Sequence, residues 1–221
     1  MKKILVIILM ITLPFCFLLY SIEVNTFNKN IFLKSYDKHN ITHATEKSKE
    51  ELEEITEIIL DYLKEDLDGQ VLSPYFNQKE IRHMEDVQLL FKYGFFLKKI
   101  TFILSILAIG ILQFKGKWKS LGISMFYGPF IWHGLFLLLL IFSMIDFNKY
   151  FTYFHVIFFD NDLWLLNPKT DLLIQMLPEE FFISIFIRII LLFLSILAII
   201  QIIGYMLIKK GKDNNGYIIK F

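Results

Sequence analysis

The chain holds 221 residues, 55% of them hydrophobic and 20% charged, with a mean hydropathy of +0.52. That is too apolar for an ordinary soluble domain and places the chain among membrane proteins. A net charge of +1 offers no electrostatic footprint for nucleic acid. The one cysteine, Cys16, excludes an internal disulfide and any cysteine-based zinc site.

A helix of about 20 apolar residues crosses a bilayer. The first span is expected over residues 1–20, where Lys2 and Lys3 precede an apolar run. Residues 18–22 offer no small-residue cleavage site, so the run reads as a retained anchor rather than a signal peptide. Cys16 follows Pro14 and Phe15 instead of the small residues of a lipobox, so it reads as a small core-facing residue.

Residues 21–93 are expected to form an extracytoplasmic segment with amphipathic helices. His39 and His43 fall in a polar linker and read as solvated. Thr45 is expected to open a helical stretch. Within it Leu52, Ile55, Ile59, Tyr62 and Leu63 recur at helical spacing, with Gly69 as its C-cap. Ser73-Pro74 breaks the chain. Residues 79–91 read as a second helix, continuous with the next span. It places Glu80, His83 and Val87 on one face and Asp86 three residues beyond His83.

Three further spans are expected over residues 94–114, 121–145 and 181–208. Between the second and third lies a loop of residues 115–120 with Lys115, Lys117 and Lys119. After the fourth comes a tail of residues 209–221 with Lys209, Lys210 and Lys212. With Lys2 and Lys3, these clusters share one side, so the positive-inside rule makes the N- and C-termini cytoplasmic. Lys98 and Lys99, at the other end of span two, are read as snorkelling. Residues 146–180 form a second extracytoplasmic loop. There, residues 151–159 and 163–166 read as short strands around an Asp160-Asn161-Asp162 turn, with residues 30–41 as a third strand. The expected fold is a four-helix transmembrane bundle under a small α+β extracytoplasmic cap.

The chemical candidates concentrate in that cap. His83 stands with Glu80 and Asp86, and His155 is followed by Asp160 and Asp162. A carboxylate can fix an imidazole's tautomer and raise its basicity. On spacing alone these residues fit an acid/base pair, a metal site with an aspartate, or two structural histidines. His133 lies in span three near Gly128-Pro129 and is read as a helix-packing hydrogen bond. Arg188, two turns inside span four, needs a partner: Glu179, Glu180, or a lipid phosphate or carbonyl. The serines of the spans lack the G-x-S-x-G context of a nucleophile.

Glu80-Ile81-Arg82-His83-Met84-Glu85-Asp86-Val87 resembles the E-x-x-H-M-x-D-V pattern of the lipoprotein intramolecular transacylase family, four-span bacterial membrane proteins. Phe154-His155, Asn161-Asp162, Trp164-Leu165-Leu166, Pro168, Asp171-Leu172-Leu173-Ile174 and Pro178 are similar to its second signature, with Asn167 where aspartate is expected. The likeness covers nearly the whole chain in span order. It implies transfer of the sn-2 acyl chain of a diacylglyceryl-cysteine lipoprotein to the α-amino group of the same cysteine. It also implies His83 and His155 as the catalytic pair, with no metal or cofactor. Asp162, Trp164 and Arg188 stand beside them as supporting or substrate-binding candidates, with Glu80 and Asp86. The partners implied are the lipoprotein substrate and membrane lipids. The competing expectations are a metal-assisted lipid hydrolase and a non-enzymatic lipid-binding membrane protein.

Overall fold

The computed structural model describes residues 2–216, with side chains through residue 210. Met1, residues 217–221 of the expected tail and the side chain of Lys212 lie outside the described residues. In chain order the helices are α1 (Lys2–Thr26), α2 (Lys29–His39), α3 (Ile41–Thr45), α4 (Lys49–Glu65), α5 (Gln78–Phe114), α6 (Trp118–Ile145), α7 (Phe147–Phe158), α8 (Leu172–Met176) and α9 (Glu179–Gly216). A 3-10 turn, Gly69–Leu72, stands between α4 and α5.

Among the described residues, four helices are long and apolar enough to cross a membrane: α1, α5, α6 and, over Glu179–Lys210, α9. Their apolar stretches leave most of their surface uncovered by protein, as helices solvated by lipid do. The 37 residues of α5 run about 55 Å, nearly twice the hydrocarbon thickness of a bilayer. Lys79, Glu80, Arg82, Glu85, Asp86 and Lys92 crowd its first four turns. So many charges are too costly to hold in hydrocarbon, so this part of α5, with His83 on it, lies outside the membrane-spanning part.

The chain divides into two compact units. The first comprises Met1–Ile22, Phe96–Ile141 and Ile189–Phe221, the second Glu23–Phe95 and Phe142–Arg188. In the first, one core gathers Leu9, Ala108, Leu112 and Leu121 and another Phe193, Leu197 and Ile200. Lipid is as apolar as leucine, so close backbone approach and interhelical hydrogen bonds must hold such helices together. Gly122 and Gly204 supply the approach. A Cβ on Gly204 would stand 2.6 Å from the backbone nitrogen of Phe126, and one on Gly122 2.7 Å from the carbonyl oxygen of Gly204. Thr12 and Ser105 share a buried hydroxyl pair at 2.8 Å, and Gln201 donates to the carbonyl of Phe126 at 3.2 Å.

The second unit is built on α4. Ser48 caps it: its hydroxyl accepts from the Glu51 amide at 3.1 Å, and the Glu51 carboxylate accepts from the Ser48 amide at 2.7 Å. This reciprocal capping box starts the helix, not Thr45, which closes α3 and donates to the carbonyl of Ile41. Leu52, Ile55, Ile59, Tyr62 and Leu63 are buried. Buried beside them, Tyr36 of α2 pairs its hydroxyl with Thr56 at 2.7 Å. The helix stops at Asp66, whose φ is 60°, one of the short polar residues that tolerate the left-handed region. Gly69 is therefore not the C-cap. It opens the 3-10 turn, where a Cβ would press to 3.2 Å of the side chains of Glu85 and Ile81.

The expected α+β cap is corrected: among the described residues there is no strand. Residues 151–159 fall largely in α7, residues 163–166 are turn and coil, and residues 30–41 lie in α2 and the start of α3. The physical reason in α7 is visible in its ring contacts. Phe147 and Phe151 stack at 5.5 Å, and Phe151 meets His155 at 4.4 Å. These i, i+4 pairs form only on a helix, and Asp146 caps its first turn by accepting from the Lys149 amide at 3.1 Å. Aromatic and β-branched composition alone had favoured strand.

Candidate active site

His83 is held by the way α5 begins. Asn77 accepts from the amides of Lys79 at 2.9 Å and Glu80 at 3.1 Å. The Glu80 carboxylate accepts from the Asn77 amide at 2.8 Å. Its other oxygen accepts from the Leu173 amide at 2.7 Å, which pins the first turn of α8. Glu80 is fully buried. Burial pushes its carboxyl above the ordinary range while the amides of Leu173 and Asn77 pull it back. Its oxygens thus serve backbone amides, and it fastens the helix carrying His83.

His155 sits on the buried side of α7. Its Nδ1 lies 2.7 Å from the carbonyl oxygen of Phe151. A carbonyl can only accept, so Nδ1 carries the hydrogen, and in the neutral ring Nε2 keeps a free lone pair. Trp164 stacks on the ring at 4.7 Å and 27°, and Phe154 meets it edge-on at 5.4 Å.

The two imidazoles face one another with centroids 6.1 Å apart and planes at 35°. Allowing about 1.2 Å from centroid to nitrogen in each ring, the nearest nitrogens stand no closer than about 3.7 Å, beyond hydrogen-bond reach. Phe159 walls the gap between them, 5.4 Å from His83 and 5.6 Å from His155. Both histidines are buried, at 8% and 7% exposure. Burial pushes His155 below the ordinary histidine value, opposed by its bond to Phe151. His83 is pushed down to about 4, chiefly by burial and then by repulsion from His155, with Asp86 acting the other way. At pH 7 both rings are neutral. Nδ1 of His83 is buried without a hydrogen-bond partner.

The loop bearing Trp164 is pinned across α5. Asn161 donates to Asp86 at 2.9 Å, Lys79 to the carbonyl of Leu165 at 2.5 Å, and Asn77 to Asp171 at 3.1 Å. Asp171 also accepts from the Asn167 amide at 2.7 Å. Asp86 therefore anchors this loop as well as facing His83. Asp162 is exposed and does not orient His155; the Phe151 carbonyl does.

Residues 7–182 match the family model described as lipoprotein intramolecular transacylase Lit, a stretch that contains both histidines and the pinned loop. The chain belongs to the Lit family. It is thus an integral membrane enzyme, an intramolecular transacylase of lipoproteins. Its fold is similar to the in meso structure of the membrane integral transacylase Lit from Bacillus cereus. The TM-score is 0.82 at 23% identity, covering 96% of this chain and 98% of that one. A Bacillus cereus Lit variant with one histidine replaced by arginine matches with TM-score 0.80 at 22% identity, over 97% and 95% of the two chains. No curated protein matches the chain in sequence.

The remaining candidates of this Lit chain stand apart from the pair. Arg188 is exposed and forms no ion pair with Glu179 or Glu180; Glu179 instead accepts from Asn148 at 3.0 Å. His133 Nδ1 bonds the carbonyl of Pro129 at 3.0 Å, one turn back in its own helix. Among the described residues, no three of histidine, cysteine, aspartate and glutamate form a metal-binding group. Asn77, Asp171 and the Phe151 carbonyl escape a reading by residue type. The N-x-x-E spacing of Asn77 and Glu80 is a capping-box signature that exposes the first of them.

Proposed function

We propose that the chain moves the sn-2 acyl group of a diacylglyceryl-cysteine lipoprotein onto the α-amino group of that cysteine, with His155 as base and His83 as oxyanion donor. The observation that carries this reading is the bare Nε2 of His155 opposite a second neutral, buried imidazole. An α-amino group titrates near pH 8, so a weak base suffices to take a proton from the attacking amine. Nitrogen adds to the ester carbonyl carbon, and the carbonyl oxygen becomes an oxyanion. The N–H that neutral His83 carries is available to it. Collapse forms the amide, breaks the ester C–O bond and releases the glyceryl alkoxide. That alkoxide recovers the proton held on His155, so the pair ends as it began. Nucleophile and ester share one substrate molecule, so much of the acceleration comes from orientation. Trp164, stacked on the base, fixes the plane of the ring.

The lysine clusters support a topology with the termini cytoplasmic and the histidine pair on the extracytoplasmic side, with residues 1–20, 94–114, 121–145 and 181–208 in the membrane. Arg188, charged and unpaired near the start of the last span, is suited to a phosphate or carbonyl of lipid or substrate.

The test is to fragment a synthetic diacylglyceryl lipopeptide by tandem mass spectrometry after incubation with purified protein, with and without chelator. Intramolecular transfer leaves the parent mass unchanged and puts an acyl group on the terminal amine, chelator or not. Loss of one fatty acid, abolished by chelator, would replace this reading with a metal-assisted hydrolase.

A further inference from the structure

Apart from the side that carries His155, the second half of α7 is apolar and uncovered. Val156 is 62% exposed, Ile157 75% and Phe158 53%, and Tyr153 and Phe154 are exposed beside them. A helix of a folded domain ordinarily turns such residues inward, and a contiguous apolar patch marks a surface with a partner.

The chain itself indicates which partner. One residue, Asp146, separates α7 from the end of the span helix α6. The last turn of α6 is itself apolar and uncovered, with Met144 77% and Ile145 75% exposed. Phe142 of α6 stacks on Tyr150 of α7 at 5.6 Å. The apolar surface at the end of α6 thus gives way to a short exposed polar band, Asp146, Asn148 and Lys149, and resumes along α7. The composition of α7 suits an interface: Tyr150 and Tyr153 have polar tips on apolar rings, and the Lys149 ammonium stands 5.9 Å from the Tyr153 ring. Tyrosine and lysine occupy the headgroup level of bilayers, while aliphatic and phenyl groups reach the acyl chains beneath.

We propose that α7 is an interfacial helix, with its Tyr153, Val156, Ile157 and Phe158 side seated in the lipid of one leaflet. The occupant is bilayer lipid, and the inference holds whatever His155 does. The helix then has two faces with two tasks: the outer grips the leaflet, and the inner presents a histidine at headgroup depth.

The experiment places a nitroxide at residue 157 of the full chain, as Ile157→Cys on a Cys16→Ser background. The protein is reconstituted in vesicles of phosphatidylethanolamine and phosphatidylglycerol. Relaxation by oxygen is compared with relaxation by a water-soluble nickel chelate. Val156→Cys is the second reporter, should the first variant fold poorly. The expected result is a label at least several-fold more accessible to oxygen than to nickel. Preferential accessibility to nickel would put the face in water. Low accessibility to both would mean that protein, such as a second copy of the chain, covers it. Either outcome overturns the proposal.

Discussion

Two helices of the second unit, α4 and α7, are both amphipathic and both begin at a side-chain cap, yet they use their faces in opposite senses. Helix α4 buries Leu52, Ile55 and Ile59 and displays Glu50, Glu54 and Glu57. Helix α7 buries a histidine and displays valine, isoleucine and phenylalanine. The first is an ordinary solution to burial in water. The second hides a titratable group from solvent at the expense of its own apolar packing. A helix of that kind is arranged for the group it hides and for a surrounding that is not water.

The contrast is broken most severely by removing the hidden group. His155→Ala should lower the rate of acyl transfer by about 10²- to 10⁴-fold, the usual range for a lost acid–base group. It is measured by single-turnover fragmentation of a lipopeptide. His83→Ala should cost about 10²- to 10³-fold, as a lost oxyanion donor does. Next in size, Leu52→Ala on α4 should lower unfolding stability by about 2–5 kcal/mol, measured by thermal unfolding in detergent. Ile157→Ala on α7 should change it by less than about 0.5 kcal/mol in detergent. Equal losses at the two positions would erase the distinction. Ser48→Ala should cost about 1 kcal/mol through its cap.

The hidden histidines also predict a dependence on pH. His83 titrates at about 4 in the fold and His155 also below the ordinary value. Because the folded values are depressed, the unfolded chain takes up protons first as acid is added. Stability should therefore be full above about pH 6.5 and fall as pH drops from 6.5 towards 4, read as a falling Tm. A Tm flat across that window would show that the rings are not held neutral.

The four apolar helices were legible because composition alone decides whether a helix can sit in lipid. The apolar face of α4 was legible because its period is 3.6. Its ends were not. Asp66 took the left-handed position expected of Gly69, and the Ser48–Glu51 box had been passed over for Thr45. Helix α7 was misread as strand because its aromatic and β-branched residues carry strand propensity, whereas the i, i+4 contacts of Phe147, Phe151 and His155 decide its form. No spacing rule could bring His83 and His155, 72 positions apart, to 6.1 Å; the residues left an acid/base pair as one of three readings, and the family resemblance chose it. Nor could residue type reveal that a backbone carbonyl, rather than Asp162, orients His155, since every residue carries one.

The central claim is that His155 is a neutral base with its proton on Nδ1. Nitrogen-15 NMR of histidine-labelled protein in lipid nanodiscs, with His155→Ala to assign the ring, tests it directly. The account requires a neutral ring at pH 7, protonated at Nδ1 and bare at Nε2. An imidazolium at pH 7, or a ring protonated at Nε2, would contradict it.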